Sequence, residues 1–451
     1  MNTIEQIGRW ISENESLFSG LAAIVALIAI VPAALRPILR RRNKARSNSA
    51  AHNEKTSEDA SSGSKPRLAV FPFGAASDEA TLVTAAIIIT DDLTALLARS
   101  HGCEVISGRS AELFANGGGT PGAALGVLDV QYVVEGDIRT NGGDLRVSAS
   151  LIDTQQDSVV WTERFSASNT DANSVSESVA QQVASHLGIE LTRAEIGRSR
   201  KKQTLSVSRD LVLSAQGLLF DEGHSRDSYA RAISYLDEAI VADPENAEAH
   251  SFLALLISLG KIFDFVDQND TTREKALLAC RRAIELDDRS SEVLGYAGCA
   301  YCDLRESEQG IPLLERAIKL NPSNAQAKAA LGTAFIGQKQ FSEGVSYLED
   351  ALRISPAYKG IAPWALVLAN GYLRLNQPDK AAASVAQSLS CDPGFFPSYL
   401  TAAVISLLTA DEDGVKRNMQ EALKINPGID NQMLQRMVGK DHAIELSKWL
   451  D

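Results

Sequence analysis

Apolar residues follow three different patterns along the chain, and each predicts a different kind of element. From Leu17 to Leu35 the run LFSGLAAIVALIAIVPAAL carries no charge. A helix of that length rises about 28 Å, close to the roughly 30 Å hydrocarbon layer of a bilayer, so a membrane-spanning helix is expected, with Pro32 tolerated near its end. Between residues 67 and 192 the pattern is mixed. Arg67–Phe73 reads as a buried strand, and Leu82, Ala86, Ile89, Leu93, Leu96 and Leu97 form the stripe of a helix. Cys103–Ile106 reads as a second strand parallel to the first. Tyr132–Thr140, Asp144–Asp153 and Ser158–Ala167 follow as an antiparallel meander, in which Leu145, Val147, Ala149 and Leu151 alternate with Arg146, Ser148 and Ser150. A closing helix is expected through Val175, Val179, Val183 and Leu187. The predicted unit is one sheet, wet on one face, with helices on the other.

From residue 210 the spacing is helical and periodic. Pro322 and Pro356 lie 34 residues apart, as do Pro393 and Pro427, and Asp288 lies 34 before Pro322. Each of these positions ends one helix and starts the next. Five residues before each stop sits a small residue: Ala239, Ala283, Ala317, Ala351, Ser388 and Ala422. Eight before it sits a larger one: Leu236, Cys280, Leu314, Leu348, Val385 and Met419. Six helix–turn–helix units are expected over 210–427, and residues 428–451 cap the last apolar face. The period is broken by extra residues around Gly223–Ser228 and within Gly260–Asp270, where Lys261–Val266 is expected to fold over one edge of the array.

Charge fixes orientation. Arg36, Arg40, Arg41, Arg42, Lys44 and Arg46 follow the apolar run, whereas the tail 1–16 is net acidic. The positive-inside rule places residues 36–66 and everything after them in the cytoplasm, with a short tail outside. The cations near Arg40, Arg41 and Arg42 also suit anionic lipid headgroups, and 47–66 reads as a flexible tether. The net charge of −13 argues against nucleic acid as a partner. Five scattered cysteines indicate a reducing compartment rather than a disulfide framework.

Catalytic and metal chemistry is not expected. Cys299 and Cys302 form a lone CxxC inside a helix, without a second ligand pair, and read as packing or groove-lining residues. Gly117, Gly119 and Gly122 spell GxGxxG, but Pro121 interrupts it and no strand precedes it, so a flexible loop is predicted. Gly332 and Gly337 lack the lysine of a phosphate loop, Gln338 standing in its place. Asp91 and Asp92 have no third carboxylate beside them. No cofactor is implied.

The 34-residue period resembles the tetratricopeptide repeat, with Gly298 and Tyr301, Gly332 and Phe335, and Ala369 and Tyr372 at the family's small and aromatic positions. Ala69–Phe73, Asp91-Asp92-Leu93, Tyr132–Arg139, Leu151–Asp153 and Trp161–Phe165 resemble the TolB amino-terminal-like domain, which precedes such repeats behind class III adenylate cyclase or winged-helix domains. The resemblance implies a non-catalytic sensory or scaffolding module at 67–192. The resulting expectation is a multidomain chain: transmembrane helix, small α/β (α+β) TolB-N-like domain, all-α tetratricopeptide superhelix. It is expected to act as a single-pass bacterial inner-membrane scaffold, not an enzyme, gripping a protein or peptide in the concave groove through Cys302, Asp303, Thr333, Asn370 and Arg374. Two alternatives stand beside this: a regulator acting in trans on a cyclase, and a module facing the periplasm, which the cations after Leu35 oppose. The anchor, the α/β domain and the repeats take up the chain, so a cyclase catalytic portion is not expected in it.

Overall fold

Strand β1 (Arg67–Val70) is the hub of the sheet because its residues are apolar on both sides, and it pairs in parallel with β3 (Glu104–Val105) and with β4 (Tyr132–Asn141). The computed structural model of the protein describes residues 65–100, 102–141, 144–167, 172–202, 206–355 and 357–450. The predicted spanning segment 17–35, its flanks 1–16 and 36–64, and Gly142, Gly143 and Pro356 lie outside the described residues. The expected first strand is cut at Pro72, which cannot donate to a ladder; a two-residue strand β2 (Gly74–Ala75) resumes beside β4. β5 (Asp144–Asp153) and β6 (Ser158–Ala167) complete the meander in antiparallel register, giving the order β3-β1-β4-β5-β6.

Helix α1 (Ala80–Arg99) lays Leu82, Ala86, Ile89, Leu93 and Leu97 on the sheet, together with Val179, Val183 and Leu187 of a later helix. Among the described residues α1 is the one helix long and apolar enough to cross a membrane, and its apolar side is spent on this core. The opposite face is not bare, contrary to the expectation of a one-sided sheet. Ala69, Phe71 and Val133 bury against α2 (Gly108–Asn116) and α3 (Pro121–Leu128), two helices that flank the glycine-rich stretch expected to be a loop, of which Gly122 falls inside α3. Gly117–Gly119 form only the turn between them, and Pro121 starts α3, where its missing N–H costs nothing. Helix α4 (Ala172–Lys202) closes the region and runs on beyond Thr192. It is locked to the sheet by Arg198, which pairs with Asp153 at 3.0 Å and stacks 4.8 Å from the Tyr132 ring centroid.

Six antiparallel helix pairs follow, as the period predicts. They are α5 (Val207–Asp221) with α6 (Arg226–Ala242), α7 (Ala247–Ile262) with α8 (Asp270–Leu286), and α9 (Ser291–Asp303) with α10 (Ser307–Leu320). The rest are α11 (Ala325–Gly337) with α12 (Phe341–Ile354), α13 (Ala362–Arg374) with α14 (Pro378–Cys391), and α15 (Phe396–Leu408) with α16 (Glu412–Ile425). Side-chain oxygens of Asn246, Ser290 and Asn324 cap α7, α9 and α11. Within the third and fourth pairs the helices cross so closely that no side chain fits: a Cβ on Gly310 would lie 2.6 Å from the Gly298 carbonyl, and one on Gly344 would lie 2.7 Å from that of Gly332.

The array ends on α17 (Asn431–Val438) and α18 (Lys440–Leu446), two short helices where a single cap was expected. Gly439, at φ +86°, divides them, and Met433, Leu434, Ala443 and Leu446 cover the core of the sixth pair.

The ends of the array meet. Phe263 and Phe265, in the insertion after α7, are buried against Phe395 and Phe396 at the start of α15, with ring centroids 4.9 Å (Phe263–Phe395) and 6.0 Å (Phe265–Phe396) apart. The insertion therefore bridges two distant repeats rather than folding over one edge. Three further contacts accompany it: the His224 amide donates to Asp392 Oδ2 at 3.0 Å, Lys359 Nζ donates to the Asp221 carbonyl at 2.7 Å, and Arg436 pairs with Asp264 at 2.9 Å. One continuous apolar core thus joins the first three pairs to the sixth. Both breaks in the period, at 223–228 and 260–270, supply residues to this closure, as does Lys359 ahead of α13.

Candidate functional site

Closure turns the concave face of the array into a cavity of about 310 Å³. Every first helix contributes: Gln216 and Phe220 from α5, Phe252, Leu256 and Leu259 from α7, Tyr296, Cys299 and Asp303 from α9, Ala330 and Thr333 from α11, Trp364, Val367 and Asn370 from α13, and Thr401 from α15. The spacings of three and four within each helix put these residues on one inward stripe. Ile262 (42% exposed) and Arg436 mark where the lining reaches solvent.

Two polar groups stand out in a largely apolar wall. Asp303 accepts hydrogen bonds from Ser258 Oγ at 3.0 Å and from Cys299 Sγ at 3.7 Å, both on Oδ2. Burial pushes its carboxyl up to about 7, the two hydrogen bonds opposing the shift, and among the described residues no cation pairs with it. His224 is 5% exposed. Its Nδ1 lies 2.9 Å from Tyr229 Oη, while no hydrogen bond of ordinary geometry reaches Nε2, which faces the Gly360 backbone. Burial drives the imidazole down to about 4 against the pull of Asp392, so it is neutral at pH 7.

Of the groove residues expected from sequence, Asp303, Thr333 and Asn370 are brought together in the cavity wall, and Cys302 and Arg374 are not. Cys302 sits against Gly310 at the helix crossing within its own pair. Arg374 occupies in the fifth repeat the register place that Asp303 holds in the third, yet it is exposed at the end of α13. Cys299 lines the cavity beside Asp303, and burial raises its thiol well above the usual range, so it is a packing thiol rather than a redox one. Among the described residues no group of three or more His, Cys, Asp or Glu side chains suits a metal ion.

The tetratricopeptide repeat model matches residues 297–359, from within α9 to the linker after α12. The array is built of tetratricopeptide repeats. The chain is 30% identical over 238 residues to putative adenylate cyclase 3 of Rhizobium meliloti (strain 1021), a match covering 51% of this chain and 39% of that protein. Among solved structures, Pseudomonas aeruginosa PilF is 19% identical with a TM-score of 0.35, covering 51% of this chain and 95% of its own. YrrB, a TPR protein with an unusual peptide-binding site, is 20% identical with a TM-score of 0.30, covering 47% and 97%. Sequence reasoning had no signal for His224 or the aromatic wall of the tetratricopeptide cavity, because an inward stripe and a core stripe share one periodicity.

Proposed function

We propose that the chain is a protein-interaction scaffold, anchored by residues 17–35 in a bacterial inner membrane with its main body in the cytoplasm, that receives a partner protein on its tetratricopeptide array. The observation that carries this reading is the convergence of the inner faces of all six first helices on one solvent-reached cavity. Tetratricopeptide arrays hold proteins and peptides on such faces. The exposed guanidinium of Arg374, at the end of α13, suits a partner carboxylate, taken bidentately. The test is capture of partners by the full chain, followed by Arg374→Glu: at least a tenfold weaker complex is expected, and undiminished binding of every partner refutes a role for Arg374.

A second reading is favoured by the cyclase match. It makes the chain a regulator acting in trans on a class III adenylate cyclase, its 67–192 region serving as the TolB-N-like sensory module the sequence resembles. This reading requires cyclase activity to co-purify with the full chain and to change when the chain is removed. Complexes without that activity leave the scaffold reading alone standing.

A further inference from the structure

We infer that the repeat cavity is a binding site for a small organic ammonium ion, whose cationic nitrogen sits on Asp303 and whose apolar body lies against the ring wall of Phe252, Tyr296 and Trp364. This goes beyond the scaffold reading and stands whether or not a protein partner exists.

The size of the site selects a small molecule. About 310 Å³ is the lower end of ligand-sized cavities, and the ring contact that joins the second repeat to the sixth bounds the space on one side. Chemistry then selects the charge. Asp303 lines the cavity, both of its hydrogen bonds end on Oδ2, and among the described residues no donor reaches Oδ1. The groups that face it are uncharged: Ser258 of α7, Tyr229 of α6, Cys280 of α8, and Cys299 and Cys302 of its own helix. Arg436, the guanidinium in the lining, is already paired with Asp264. An anion is therefore repelled, and a purely apolar guest strands a desolvated carboxyl beside it. An ammonium satisfies the carboxyl and gains from the aromatic faces. His224, buried in the same lining beside the Gly360 backbone, adds a second polar group to the wall.

Isothermal titration of the full chain at pH 8 tests the site with three probes of matched size: 2-phenylethylamine, 2-phenylethanol and 3-phenylpropionate. The amine is expected to bind at least tenfold more tightly than the alcohol, and the acid not at all. Asp303→Asn, with its fold verified by circular dichroism, is expected to reduce the amine to the level of the alcohol. Thr333→Leu fills the cavity while Thr333 gives up only a hydroxyl bond to the Ala329 carbonyl, and it is expected to weaken amine and alcohol alike. Equal binding of amine and alcohol overturns the proposal, as does amine affinity unchanged in folded Asp303→Asn. So does indifference to Thr333→Leu, or a lysine-bearing tripeptide binding where the free amine does not.

Discussion

Asp303 and His224 titrate in opposite senses, and their sum shapes the acid behaviour of the protein. Asp303 has a folded pKa near 7 against 3.8 for the free side chain, so the native state holds its proton longer and this residue's contribution falls as pH rises from about 4 to about 7. His224 has a folded pKa near 4 against 6.5, so the unfolded chain takes up its proton first and stability is lost as pH falls from about 6.5 to about 4. The two offset each other between those limits. Urea midpoints are expected to show this directly: Asp303→Asn removes one arm, and the variant's stability then climbs with pH from 4 to 6.5 more steeply than the wild type's. Equal slopes contradict the assignment. A second prediction concerns the turn after the first helix in each of the last four pairs. Arg305, Lys339, Asn376 and Ala410 share a left-handed φ between 55° and 67°, stabilised by bonds such as Asp411 N to the Ser406 carbonyl at 2.9 Å. Ala410→Gly relieves that conformation at an exposed site and is expected to raise stability by up to about 1 kcal/mol in thermal denaturation. The places of Asp303, Thr333 and Asn370 in the cavity wall were readable because they fall on the inward register of a strong repeat. His224 was not, since its place depends on Asp392, which lies 168 residues away and leaves no local pattern.

At the level of elements, regularity was legible and its interruptions were not. Small residues five positions before each stop reported the buried face of each second helix, since Ala239, Ala283, Ala317, Ala351, Ser388 and Ala422 are all fully buried. The insertion Lys261–Val266 carried no periodicity, and its two aromatics pointed to some buried contact without saying which. Their partners, Phe395 and Phe396, sit at a repeat boundary 130 residues on and serve the core of the sixth pair as well. The α2–α3 pair was missed for a different reason: Gly117, Gly119, Pro121 and Gly122 suggest a loop, and each helix buries a single residue, Ala111 or Ala124, too few to make a stripe. Truncating the clasp with Phe263→Ala and Phe265→Ala is expected to cost about 3–5 kcal/mol per ring if neither site collapses, and to raise the radius of gyration in small-angle scattering. A variant that loses stability without expanding contradicts the role given to the clasp.

The molecule as a whole joins three requirements that pull on different parts of the chain. If residues 17–35 anchor the chain as proposed, with the body in the cytoplasm, alkaline phosphatase fused after Asp451 is expected to be inactive; activity there reverses the topology. The α/β region and the array share α4, whose Ser178 accepts from Arg353 of α12 at 2.8 Å and whose Arg193 lies 5.4 Å from the Phe220 ring centroid. The repeats, in turn, make a site only because the array closes. The closed array gathers the inner faces of the six first helices around a small chamber with the half-buried carboxyl of Asp303 in its wall. The deciding measurement is a double-mutant cycle on Phe263→Leu and Phe395→Leu in the full chain, read from denaturant midpoints. A coupling of about 0.5–1.5 kcal/mol is predicted for edge-to-face rings in contact. Additivity within about 0.3 kcal/mol places the two repeats apart in solution and contradicts the closed chamber.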